Sequence, residues 1–323
     1  DQGFATGLYV EPNGTFGGSA ADAKAELLRL TDLVRLGLAG NIASYEIVDR
    51  FGNRLPGREV DYFGMPGAYG SDPSDTIQYI GVHDDPDWFD AMNLKLSAVV
   101  PRADRVRMHR LGLSIVTLAQ GVPFFMAGDE ILRSKSGDRN SYNSGDWFNR
   151  IDWTMKSNNW GSGLPPARDN EEVWDILRPA LADPNLKPSP KDIEGTFRHM
   201  LEMLVIRKTS GLFRLRTASE IGKAVTFYNV GPDQVPGLVV ERIENPGKSC
   251  FPASQAVVLV NATPQAQTFT DGAFEREPLV LHPVQVFSND PVVRTSKFDR
   301  RTGTFTIPAR TTAVFIEPCF GRR

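Results

Sequence analysis

The sequence predicts an α/β fold: helices alternating with parallel strands over residues 1–215, then an all-β domain over residues 216–323. Three observations lead there. Two short apolar runs, 76–82 (TIQYIGV) and 122–127 (VPFFMA), flank a helical pattern, and each stops at a polar cluster. Strand, helix, strand, with polar groups after each strand, is the arrangement that gathers functional residues at the C-terminal edge of a parallel sheet. After about Leu215 the texture changes to short β-rich runs separated by Gly, Pro and Asn, as an antiparallel domain requires.

In chain order, Ser19 caps a helix over residues 20–36, with Ala23, Leu27, Leu30 and Val34 on one face and Gly37 and Gly40 ending it. Residues 41–74, rich in Gly, Pro, Asp and Tyr, read as a long surface excursion. A strand buried on both faces follows at 76–82. Asp104 opens a second helix through Val106, Leu111, Leu113, Val116 and Leu118, closed by Gly121 ahead of the buried strand 122–127. Residues 132–164 form a second long loop, crowded with Asn, Ser, Gly, Asp and Trp. Pro184, Pro188 and Pro190 punctuate a linker before a helix near 196–208, whose apolar stripe reads as Phe197, Leu201, Leu204 and Val205. Strands are then expected at 224–228, 238–243, 256–260, 284–287, 304–307 and 313–316.

With 323 residues, 41% of them hydrophobic and 23% charged, the chain can bury a core and is not a disordered segment. No apolar run approaches the roughly 18 residues of a membrane helix. The balance of 36 basic against 39 acidic residues excludes a general attraction to nucleic acid or an anionic membrane, so a neutral partner is expected. Cys250 and Cys319 are too far apart in sequence for a disulfide framework or a metal spacing, and free thiols are expected. The tripeptides Asn13-Gly14-Thr15 and Asn261-Ala262-Thr263 have the form of glycosylation sites. Two parallel strands do not make a sheet with covered edges, so the chain is expected to be the C-terminal portion of a larger β/α enzyme.

Chemistry is expected at two places. His83 and Asp84 stand after the first buried strand, where imidazole and carboxylate can grip a pair of ring hydroxyls, or simply cap the strand end. Asp84, Asp85, Asp87 and Asp90 could alternatively ligate a hard cation such as calcium. After the second strand, Asp129, Glu130 and Arg133 read as an internal salt bridge. Arg139, Asn140, Tyr142, Asn143, Asp146, Trp147 and Asn149 mix planar polar groups with aromatics, the composition used for sugars or for a solvated loop with Trp anchors.

Residues 124–153 (FFMAGDEILRSKSGDRNSYNSGDWFNRIDW), with YIGVHDD at 79–85, QGFATGL at 2–8 and NNWGSGLPPA at 158–167, closely resemble the pullulanase and limit dextrinase branch of the α-amylase superfamily, glycoside hydrolase family 13. FYNVGPDQVPGLVVERIE at 227–244, LHPVQV at 281–286 and TTAVFIEP at 311–318 resemble its plant-type members. The resemblance implies the C-terminal part of a TIM barrel, with strands seven and eight, followed by a β-sandwich. It also implies retaining hydrolysis of α-1,6-glucosidic linkages in pullulan, limit dextrin and amylopectin. The nucleophile and acid/base would lie in the N-terminal portion of the same enzyme, the expected partner of this chain. No cofactor is implied for catalysis, though a structural calcium ion is left open, and a plastid location is suggested.

Carried over, Asp84 would be the transition-state-stabilising carboxylate with His83 beside it, while Asp138, Arg139, Asn149 and Trp160 would line the glucose sites. The sequence departs from the family pattern at Asp85 and Pro86, where Asn and a polar residue are usual, and at Met126, which replaces a His. A debranching hydrolase is therefore expected. The competing readings are a non-catalytic glucan-binding fragment and a metal-dependent hydrolase built on the Asp84 to Asp90 cluster.

Overall fold

In the computed structural model, residues 1–82, 84–245 and 253–318 are described, so His83, Cys250 and Cys319 lie outside the described residues. Ser19 opens the first long helix, α1 (Ala20–Leu38): its hydroxyl accepts from the Asp22 N–H, and the Asp22 carboxylate accepts from the Ser19 N–H at 2.9 Å. The helix runs through Gly37 instead of stopping there, and Gly40 (φ 83°) with Asn41 (φ 52°) turns the chain.

Residues 41–74 are not a pure surface excursion. They form two antiparallel hairpins, β1 (Glu46–Val48) with β2 (Arg54–Pro56) and β3 (Asp61–Tyr62) with β4 (Met65–Pro66). Ile42, Tyr45, Ile47, Val60 and Ala68 from this stretch are buried in the main core beside Leu27 and Leu36 of α1. Single apolar residues spaced by turns carry no period, which is why the pattern hid them.

β5 (Ile77–Gln78) and β6 (Val122–Pro123) are a parallel pair, with the Val122 N–H donating to Thr76 O and the Phe124 N–H to Gln78 O. Each is two residues long, shorter than expected, and neither is buried on both faces. Ile77, Tyr79, Val122 and Phe124 are 46–56% exposed, because among the described residues no further strand pairs with this sheet. Between the two strands lie α2 (Trp88–Lys95) and α3 (Arg102–Leu118), the latter starting two residues before Asp104. The Trp88 ring lies on Gly112, where a Cβ would come within 2.8 Å of the indole. Glycine at that position lets α2 seat on α3.

After β6 come α4 (Asp146–Asn149), α5 (Ala167–Asn170) and α6 (Trp174–Ala182), none of them foreseen. α7 (Pro190–Thr209) begins with a Ser189/Asp192 cap, so Pro190 is its first residue and not part of a linker. Its buried face is Ile193, Thr196, Met200, Met203, Ile206 and Arg207, whereas Leu201, Leu204 and Val205 are 40–45% exposed. Hydropathy picked the wrong face because the inward one carries two polar residues whose donors are used internally.

Arg207 is one of them. Its guanidinium donates to the carbonyls of Thr117, Ala119 and Gly121 at 2.6–3.0 Å, satisfying acceptors that the end of α3 leaves open. Arg207→Met is expected to lower the unfolding free energy by about 2–4 kcal/mol through the loss of these charge-assisted bonds. Urea denaturation measures it, and a loss below about 1 kcal/mol would mean water replaces the guanidinium.

Beyond α8 (Ala218–Ala224) run β7 (Val225–Tyr228), β8 (Leu238–Glu244), β9 (Ala253–Asn261), β10 (Gln267–Thr270), β11 (Val280–Leu281), α9 (Pro283–Val286), β12 (Lys297–Asp299), β13 (Thr304–Ile307) and β14 (Thr311–Pro318). They build two antiparallel sheets, ordered β11-β14-β9-β8-β7 and β10-β13-β12. Residues 284–287, expected as a strand, belong mostly to α9: Pro283 starts it, and the Val284 N–H donates to His282 Nδ1.

Leu238, Val240, Leu259 and Phe315 of the larger sheet meet Phe305 and Ile307 of the smaller one in one apolar layer. The other face of the larger sheet, with Val239, Val258 and Val314, packs on α1 and the hairpins. Arg35 of α1 joins this junction, buried, donating to Asp32, to Asn229 O and to Gln234 Oε1. Asn261 of the second sequon is fully buried, with its amide donating to the Gln265 and Pro308 carbonyls, so the folded chain offers no glycan acceptor there.

Candidate functional site

Both polar clusters predicted after the strands sit at the same end of the β5/β6 pair. Asp84 and Asp85 are exposed there, Asp85 with φ 64°. Pro86 leads into Asp87, the cap of α2. From the other loop Arg139 reaches across, its Nη2 3.7 Å from Asp85 Oδ1 and its Nη1 2.6 Å from Glu172 Oε1. The structure therefore brings Asp84 and Arg139 to one rim. His83 lies outside the described residues.

Asn149 belongs to the same loop, but its side chain is already engaged: it donates to Ser141 O and accepts from Ser141 Oγ, both at 2.7 Å. Tyr142, Trp147 and Trp153 are 59–90% exposed, aromatic faces with no core to fill.

Two residues expected to line the glucose sites lie inside the fold. Trp160 is 2% exposed and stands edge-on to Phe89, ring centroids 5.5 Å apart, in a core under the loops. Asp138 is fully buried and accepts from Asn140 N and Asn170 Nδ2. Neither presents a surface to a ligand. Both shape the loop that carries Arg139, whose own N–H donates to Asn170 Oδ1.

Beneath the rim lies a layer of charge that the motif reading did not separate from the exposed aspartates. Asp90 is buried and accepts from Ser134 Oγ, Lys135 N and Gly137 N at 2.5–2.9 Å, which ties α2 to the loop after β6. Asp87, 1% exposed, lies 3.5 Å from Arg133 Nε and 3.9 Å from Lys135 Nζ. Arg133 thus pairs with Asp87 across the loops, whereas Asp129 and Glu130 accept locally from the Met126 and Gly128 N–H groups. Burial pushes Asp87 up to about 6, and pushes Asp90 and Asp129 up to about 7. The neighbouring Asp87 adds to the last two. His109, enclosed beside Phe89, is driven down to about 3 by burial, and its Nε2–H donates to Asp129 O at 2.7 Å.

A hard cation on Asp84 to Asp90 would need oxygens that protein donors hold at Asp90, and among the described residues no group of three or more acidic, His or Cys side chains converges as a metal site. Asp87 and Asp90 could have been singled out by their place on the first turn of a helix, one turn apart. Nothing in the sequence marked Lys135.

A family model described as alpha-1,6-glucosidases, pullulanase-type, C-terminal, matches residues 155–318. The chain belongs to this family. Among curated relatives, Pullulanase 1, chloroplastic, of Arabidopsis thaliana is 43% identical over 98% of this chain and 34% of that protein. The pullulanase of Klebsiella pneumoniae is 34% identical over 98% of the chain and 29% of its own length. The chain thus spans about a third of these relatives. The crystal structure of apo pullulanase from Klebsiella pneumoniae superposes with a TM-score of 0.92 at 33% identity, covering 100% of this chain and 34% of that one. The same enzyme complexed with maltotriose gives 0.92, over 30% of its chain. The pullulanase-type C-terminal chain therefore comprises the helical segment with its rim of polar loops together with the two antiparallel sheets.

Proposed function

We propose that the chain is the C-terminal part of a plastid starch-debranching enzyme that hydrolyses α-1,6-glucosidic linkages of pullulan, limit dextrin and amylopectin with retention. The observation that carries this reading is the rim where the exposed carboxylate of Asp84 and the forked donor Arg139 come together, on a chain of the pullulanase-type family whose loop after β6 also exposes the faces of Tyr142, Trp147 and Trp153. The chloroplastic Arabidopsis relative supports the plastid, and the maltotriose complex of the Klebsiella relative supports an α-glucan ligand.

In this reading residues 1–215 close a TIM barrel and residues 216–323 form the β-sandwich behind it. The nucleophile and the acid/base reside in the remainder of the enzyme, which also covers the exposed apolar residues of β5 and β6. Asp84 grips two ring hydroxyls of the sugar at the cleavage point. Its negative charge gains most when the ring flattens towards an oxocarbenium ion, so its contact strengthens in the transition state. Arg139 is positioned for hydroxyl pairs, and the exposed aromatics offer apolar faces to the C–H side of glucose rings. Asn149, with both polar ends engaged by Ser141, presents its loop to the glucan and acts through that loop's shape.

The test is release of maltotriose from pullulan by the full-length protein and by this chain alone. Activity of the first and inertness of the second is the expected pair of results. A full-length protein that binds glucan without cleaving it would favour a binding role instead.

A further inference from the structure

Lys135 is a buried ammonium to which the debranching reaction assigns no direct part. Its side chain is 1% exposed. Nζ donates to the carbonyl oxygen of Asp85 at 2.7 Å and lies 3.9 Å from Asp87 Oδ1, while its backbone N–H donates to Asp90 Oδ2 at 2.7 Å. An ammonium withdrawn from water is costly unless its partners are strong acceptors held in place. Here the partners belong to the loop on the far side of the site, so the lysine spans from the loop after β6 to the loop after β5.

The carbonyl it reaches is that of the residue directly after Asp84. Asp85 holds φ 64°, a left-handed conformation that aspartate tolerates better than most non-glycine residues and that turns the chain sharply just after Asp84. A bond to the Asp85 carbonyl fixes the plane of the next peptide and, through the Asp85 backbone, the direction in which the preceding residue projects. Asp87 supplies the counter-charge, and Asp90 anchors the lysine's own backbone from the first turns of α2.

From this geometry we propose that Lys135 is a positioning residue: its ammonium orients the Asp84 carboxylate from the opposite loop. The proposal rests on the reading of Asp84 given above. Orientation is worth little to substrate binding and much to a contact that must tighten in the transition state.

The test uses the full-length enzyme on pullulan. Lys135→Met is expected to lower kcat on the order of 10- to 100-fold while KM stays within about threefold. In the Asp84→Asn background the same change should cost less than about threefold, since no carboxylate is left to orient. If Lys135→Met gives no cooperative thermal transition, Lys135→Gln, which stops about one bond short of the carbonyl, carries the same expectations. A kcat close to the parent enzyme, or losses that multiply in the double variant, would overturn the proposal by showing that the lysine serves the fold alone. An Asp84→Asn enzyme with near-normal kcat would instead sink the reading of Asp84 itself, a failure visible without any change at Lys135.

Discussion

Asp84→Asn in the full-length enzyme is expected to lower kcat on pullulan by roughly 10²- to 10⁴-fold with a much smaller change in KM. The substitution keeps the size and one acceptor of the side chain and removes its charge. If the carboxylate opposes positive charge that develops only as the glycosidic bond opens, the loss falls on the transition state, on the order of 3–5 kcal/mol. The exposed setting of Asp84 in this chain fits a group that awaits both substrate and the facing half of the enzyme. A variant with near-normal kcat and raised KM would reduce Asp84 to a binding contact.

Glu241 should make the protein lose stability as pH rises. It lies in β8 on the face of Val239 and Ile243, fully buried, and neither carboxylate oxygen has a hydrogen-bond partner. Burial pushes its carboxyl up to about 8 from an ordinary 4.5. The sign follows from proton counting. Below pH 4.5 both folded and unfolded chains hold the proton; between 4.5 and about 8 the folded chain keeps it and the unfolded chain releases it. Stability therefore declines across that window and levels off above it, by roughly 3 kcal/mol at pH 7 from this group alone. Tyr45, whose hydroxyl donates to Val225 O nearby, is itself raised by burial and by Glu241, so it stays neutral throughout. Glu241→Met, of similar volume and without charge, should raise the unfolding free energy at pH 7 by about 2–3 kcal/mol and flatten the slope between pH 5 and 8. Urea titrations at three pH values measure both, and an unchanged slope would mean that water or a shifted side chain solvates the carboxylate.

How legible the molecule was in its sequence varies with how local the determining contact is. Ser19 with Asp22 announces α1 within four residues. The strands from β7 to β9 and β13 to β14 carry enough buried β-branched and aromatic residues for composition to identify them, whereas the half-exposed β10, of the same length as β7, does not. The parallel strands are shorter than expected for a different reason: runs such as TIQYIGV record burial against neighbours on both sides, and with no further strand beside this pair among the described residues, Ile77 and Val122 stay open. On the debranching reading those neighbours are the remaining barrel strands. The site followed the same rule. Asp84 and Arg139 were singled out through a shared motif, and the structure sets them on two facing loops, with Arg139 3.7 Å from the neighbouring Asp85. Trp160 and Asp138, equally conspicuous as residue types, turned inward, because a loop of that length needs its own small core and its own buried acceptor. Lys135 escaped notice since what defines it is a carbonyl on another loop.

The order of strands in the larger sheet bears on how the protein is made. β14 lies between β9 and β11, paired with β9 from Thr311 through Pro318, although about 50 residues separate the two strands in the chain. During synthesis β7, β8 and β9 can zip into a meander as they emerge, but the outer side of β9 then waits as an unpaired edge of Val257, Val258, Leu259 and Val260 until the latest strand arrives. Vectorial synthesis thus exposes the most aggregation-prone edge of the domain for as long as the ribosome needs to traverse β10 to β13, and the speed of elongation over that stretch sets how long a chaperone must guard it.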